Sequence, residues 1–201
     1  MNEPVEVRGI SIRGGISVVI HDHDVSVADS PVVLNEARYD PERRHLEFSG
    51  VPLLGDKVAG GTVRFRLTNE SSLVRITVRQ KSKVAITGYA AIRDPIDIVA
   101  SDESVASFRG PEHLFEGMGC CATSDSSIHN NKGTVSVHDL FVVATRGSVS
   151  GFTATGHCSV NASDSAHVTL KRTVECTVEE NVDKTSSCVI TAPRAFEDAE
   201  A

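Results

Sequence analysis

From Gly14 to Thr87 apolar and polar residues alternate in short runs: ISVVIHD, DVSVAD, PVVLNEARYD, HLEFSG, GTVRFRLTN and SLVRITVRQ. Successive side chains of a strand point to opposite faces, so short runs with this period predict half-buried strands. Between ARY and HLEF, Asp40-Pro41-Glu42-Arg43 reads as a hairpin turn, Pro41 bringing a φ already suited to a turn position. Residues 49–61 (SGVPLLGDKVAGG) read as a Gly-rich loop. No longer stretch sustains a helical period, so little helix is expected.

From about residue 74 the hairpin pattern gives way to a repeat. Short turn signatures begin at Gln80 (QKSKV), Ser101 (SDESV), Ser124 (SDSSI), Thr145 (TRGSV), Ser163 (SDSAHV) and Lys184 (KTSSCV), at intervals of 21, 23, 21, 18 and 21 residues. Each unit runs strand, polar break, strand, turn, as in TVSV, His138-Asp139, LFVVA, Thr145-Arg146-Gly147-Ser148. One such coil cannot bury its own inner face, but stacked coils can. The expectation is therefore an all-β chain, with a hairpin-rich N-terminal segment continuous with a single-stranded β-helix or β-prism solenoid. It is read as one domain over residues 1–192, with strands and hairpins in 14–73 and coils of about 21 residues in 74–192. Residues 193–201 (PRAFEDAEA) read as an acidic tail. Ser and Asp at the corners are expected to bond to nearby backbone groups where the strand ladder stops.

Composition narrows the function. Hydrophobic residues make up 40% of the chain but aromatics only 4%, with no Trp, which suits a narrow interior and disfavours an aromatic stacking platform. The net charge of −7 argues against nucleic acid or an anionic membrane as a partner, since both call for clustered Lys and Arg. No apolar run approaches the roughly 20 residues of a membrane span. The opening MNEPVEVRGISIRGG lacks the basic start and apolar core of a secretory signal, so a cytoplasmic location is expected, or a virion or cell surface reached by another export route. The sequons at Asn69 and Asn161 carry little weight without secretion.

The segments ISVVIHDHDVSVADS, ARYDPERRHLEFSG and LVRITVRQKSKVAITG, followed by the corners SDES, SDSS, TRGSVSG and ASDS, resemble the adhesin head domains of the GIN type. Those domains open on a hairpin-rich segment and continue into a β-helical stack with recurring S-G-S-G-D corners. Here Gly147-Ser148-Val149-Ser150-Gly151 is the nearest copy of that corner, the others being richer in Ser, Asp and Thr. The family has no agreed enzymatic activity, so the resemblance implies an interaction or structural module.

Several clusters invite chemistry. In His21-Asp22-His23-Asp24, the strand period puts His21 and His23 on one face, where two imidazoles can ligate Zn²⁺ or Ni²⁺; the competing reading is a polar loop. Cys120-Cys121, Cys158, Cys176 and Cys188 fall near inward positions of consecutive coils and read as buried thiols, because the spacing matches no zinc ribbon. Cys120 and Cys121 cannot both point inward. His129, His138, His157 and His167 lie in or beside the breaks and read as surface residues or as a pH-sensitive set. Asp102, Asp125 and Asp164 occupy equivalent corners and are expected to form an acidic ladder, able to bind Ca²⁺ or to act in glycan chemistry. The bland alternative is backbone capping. Gly14-Gly15 and Gly60-Gly61 read as loop glycines.

The reading that follows is a non-enzymatic structural or binding module, adhesin-like, presenting Ser/Thr/Asp faces, with no cofactor. Its partner would be a protein, a glycan, or another copy joined through the solenoid ends. A filament-forming scaffold, a phage or virion spike component and a polysaccharide-active enzyme using the acidic ladder are the alternatives.

Overall fold

The computed structural model describes residues 7–21, 36–50, 62–66, 72–89 and 92–193. They contain strands and turns, with no helix among them. The strands are β1 (Gly9–Arg13), β2 (Ser17–His21), β3 (Glu36–Asp40), β4 (His45–Ser49), β5 (Thr62–Arg66), β6 (Leu73–Val78), β7 (Lys83–Ile86) and β8 (Ile92–Ala100). They continue as β9 (Val105–Phe108), β10 (His113–Thr123), β11 (Ser127–Asn130), β12 (Val135–Thr145), β13 (Ser148–Ser163), β14 (His167–Arg172), β15 (Thr177–Val182) and β16 (Ser187–Thr191). Nearly all pairs are parallel, and the chain winds into a β-solenoid of about five turns.

Breaks in register divide each turn into three faces. Face one stacks β4, β1, β6, β8, β10, β12, the second half of β13, and β15. Face two stacks β5, β2, β7, β9, β11, the first half of β13, β14 and β16. The short third face holds the pieces before the register shifts, such as Val135–Val137 against Phe152–Ala154, and continues with Thr153-Ala154 against Lys171-Arg172.

The alternation seen in the sequence now has its cause. On face one Leu46, Ile10, Ile76, Ile98, Cys120, Val142 and Val160 form one buried column, each above the last in register. Beside it runs a second buried column, Phe48, Ile12 and Val78 in the first rungs and Ala100, Ala122, Ala144 and Ala162 in the later ones. Burial of each Val, Leu or Ile contributes about 1.5–3 kcal/mol relative to exposure. Four aromatics pack together inside the stack: Phe108 and Phe152 meet edge-on at 5.4 Å, and Tyr89 and Phe115 at 5.7 Å. The Tyr89 hydroxyl also accepts the Gly110 N–H at 3.0 Å.

The expected hairpin is present: β3 and β4 pair antiparallel across Asp40, whose Oδ1 accepts the N–H groups of Glu42 and Arg43. The other N-terminal strands are rungs of the stack, paired in parallel, so the solenoid extends well below residue 74. The chain lays these rungs down out of order, β1 lying between β4 and β6.

Candidate functional site

The recurring turns line up along the edge between faces one and two. Their backbone, more than their side chains, makes the corner. Gln80-Lys81, Asp102-Glu103, Ser124-Asp125 and Asp164-Ser165 are consecutive pairs with φ between 53° and 68°, and Gly14-Gly15 adopts the same left-handed form at the first coil. Amide groups then bond from rung to rung: Gly15 N–H to the Gln80 carbonyl, Lys81 to Asp102, Glu103 to Ser124, Asp125 to Arg146. Non-glycine residues adopt left-handed backbone at a cost of about 1–2 kcal/mol each, which these stacked bonds and the buried columns offset.

The residue after each left-handed pair turns inward. Ser82, Ser104 and Ser126 are therefore buried. As expected of corner serines, Ser82 Oγ accepts the Gly15 N–H and the Ser126 hydroxyl can donate to the Ala100 or Thr123 carbonyl. Gly147 and Ala166 hold the same place in later rungs, with Ser186 at the last. Among the described residues, side-chain bonds to backbone are most numerous at the final corner. There Asp183 Oδ2 accepts the Asp164 N–H at 2.8 Å, while Thr185 and Ser186 hydroxyls accept the N–H groups of Ser165 and Ala166. The amide donated by Asp164, then the Ser186 hydroxyl, hold the Asp183 carboxyl well below the usual carboxylate range.

One corner is short by a residue. Thr123, Thr145 and Ser163 are register partners, and so are Ser127, Ser148 and His167. Between those marks the neighbouring turns place three residues, but this one places only Arg146 and Gly147. The tightening requires glycine, because a Cβ on Gly147 would lie 2.5 Å from the Ala122 carbonyl oxygen. The short corner is recessed, leaving an open depression of about 390 Å³ lined by Asp125, Arg146, Ser148, Asp164, Ser165 and His167.

The three corner aspartates are thereby placed. All are exposed and on one edge, but they do not form an uninterrupted carboxylate column. Asp102 lies under Ser124, and Arg146 stands between Asp125 and Asp164. The Arg146 side chain makes no ion pair or hydrogen bond among the described residues, so its guanidinium is left to solvent or a ligand. A fork of donors with a carboxylate on each side, ringed by hydroxyls, is suited to a ligand rich in hydroxyl groups. The sequence reading did not single out Arg146, and it weighed His167 as a surface residue or one of a pH-sensitive set, not beside the corner aspartates. The signal for them was the interval of 18 residues where its neighbours have 21.

The remaining candidates are scattered. His21 ends β2 and is buried, while His23 lies outside the described residues, as do Asp22 and Asp24. No group of three His, Cys, Asp or Glu able to hold a metal ion occurs among the described residues. His138 contacts Asp139 at 3.0 Å, His157 contacts the Thr177 hydroxyl at 3.1 Å, and His167 contacts the Ser187 hydroxyl at 2.7 Å. Burial, then the nearby Arg109 charge, lowers the pKa of His129. Cys120 is buried and points inward while its neighbour Cys121 is half-buried on the outer side. Burial raises the thiols of Cys120 and Cys121 and pushes Cys158 up to about 12, so none is a ready nucleophile. Among the described residues no helix is long and apolar enough to cross a membrane.

No family model matches the chain, and neither a curated protein nor a solved structure is significantly similar to it.

Proposed function

We propose that this chain is a non-enzymatic binding module of the adhesin-like kind, in which a rigid stack holds a polar ligand against the recessed corner. The observation that carries the reading is the Arg146 guanidinium, without an ion pair or hydrogen bond among the described residues and flanked by Asp125 and Asp164 in one depression. Parallel rungs fix these groups relative to one another, so recognition costs little ordering entropy. The ligand class is a glycan or another polyhydroxyl compound, whose neighbouring hydroxyls can donate to carboxylate and accept from guanidinium. The resemblance to GIN-type adhesin heads points the same way.

The test is a glycan array probed with the wild type and with Arg146→Ala and Asp164→Asn. Glycan signals lost in both variants, with unchanged circular dichroism, support the reading. A wild type that captures no glycan, or signals indifferent to both substitutions, overturns it.

A further inference from the structure

We propose that a second copy of this chain docks on the C-terminal end of the stack, by antiparallel pairing of β16 with its two-fold mate. Among the described residues β15 pairs only with β13 and β16 only with β14, so the last rung presents a free edge on both faces. Its interior is left half-covered. Val178, Val182, Cys188 and Ile190 are partly buried, whereas their register partners Cys158, Ala162, Val168 and Leu170 are buried. The opposite end differs: on face one an antiparallel strand, β3, closes the stack. On face two the opposite end is β5, whose Arg64 and Arg66 disfavour a head-to-tail neighbour pairing β16 with it.

Charge then selects among the free surfaces. Strand β15 carries Glu179 and Glu180, and Glu180 occupies the column that Val142 and Val160 fill in earlier rungs. An inward-pointing charge on an edge strand discourages pairing at that edge. Burial, then the nearby Glu180 carboxylate, pushes the Cys188 thiol up to about 11. Strand β16, Ser187-Cys188-Val189-Ile190-Thr191, carries no charge, and its Val189 is 50% exposed.

The occupant follows from symmetry. A closed dimer needs a self-complementary patch. Reversing β16 about Val189 sets Ser187 opposite Thr191, Cys188 opposite Ile190, and Val189 opposite itself. The same two-fold exchanges the other two faces. Neutral strand meets neutral strand.

The experiment is sedimentation velocity on the full chain over a wide concentration range, with three proteins compared. The wild type is expected to be dimeric. Val189→Lys sets two ammonium groups against each other at the axis and should weaken association about a hundredfold or more while leaving circular dichroism unchanged. Val189→Cys should form an intermolecular disulfide under oxidising conditions to a far greater extent than the wild type, since residues facing each other across a two-fold pair lie within disulfide reach. A wild-type monomer overturns the proposal. If the β16 amides of that monomer resist hydrogen exchange, residues 194–201 cover the edge instead. A dimer indifferent to Val189→Lys overturns it equally, because some other face must then hold the copies together.

Discussion

Two serines one rung apart should respond in opposite ways to the same substitution. Ser104 and Ser126 hold the same inward position after a left-handed corner, and both are buried. The Ser126 hydroxyl can donate to the Ala100 carbonyl at 2.8 Å or the Thr123 carbonyl at 2.6 Å. The Ser104 hydroxyl is buried with no partner among the described residues. A net buried hydrogen bond contributes about 1 kcal/mol, whereas an unsatisfied buried hydroxyl costs about 1–3 kcal/mol. Ser126→Ala should therefore destabilise by about 1 kcal/mol. Ser104→Ala should stabilise by about 1 kcal/mol, because the small void left by one oxygen offsets only part of the gain. A methyl group fits the column, as Ala166 occupies it three rungs on from Ser104. The two variants should differ by about 2 kcal/mol, roughly thirtyfold in the folding equilibrium. Urea unfolding followed by far-ultraviolet circular dichroism measures both midpoints against the wild type. Midpoints that shift in the same direction would refute the reasoning, and a destabilised Ser104→Ala would mean that its hydroxyl has a hydrogen-bond partner after all.

Two further outcomes follow from the same geometry. Gly147→Ala places a Cβ against the Ala122 carbonyl, where backbone rather than a flexible side chain must yield, and should cost about 1–3 kcal/mol in thermal or urea unfolding. Because the native state lowers the His129 pKa, the unfolded chain binds that proton more readily. The stability this group contributes is complete above its ordinary value near 6.5 and is lost as pH falls through the lower folded value. His129→Gln should make the urea midpoint less sensitive to pH across that window, and an unchanged slope would refute the assignment.

Much of the fold was legible because alternation and repeat length are both consequences of burial. A strand that faces a dry interior must alternate, and coils that stack must keep a common circumference. The hairpin at Asp40-Pro41-Glu42-Arg43 was legible because its chemistry is local. The placement of β1 between β4 and β6 was not, since alternation looks the same in a hairpin and in a rung. Gly14-Gly15 passed for loop glycines, although it has the corner geometry of Gln80-Lys81; the corner is defined by φ, and several residue types meet that demand once stacking over-determines it. The candidate site was half legible. Asp102, Asp125 and Asp164 do share an edge, but losing one residue at Arg146-Gly147 changes which column each side chain enters. Only the register can show that.

A repeat stores little functional information in what it repeats, because each rung must satisfy the same packing and hydrogen-bonding demands as its neighbours. Residues that break the rule without improving packing therefore need another explanation. Three such departures stand out: the short corner that exposes Arg146 between two aspartates, the carboxylate of Glu180 in a column of aliphatic side chains, and the final corner built on Asp183 side-chain bonds. The first lies partway along the stack, where rungs on both sides hold it rigid, as a ligand site requires. The other two lie in the last rung, where no following coil exists among the described residues to satisfy amides or cover the core. Asp183 Oδ1 accepts the Thr185 and Ser186 N–H groups of that last corner in place of a further corner's carbonyls, and Glu180 marks one edge as closed to pairing. Such a terminus limits growth along face one while leaving the uncharged β16 free, which favours one closed contact over an open-ended chain of copies.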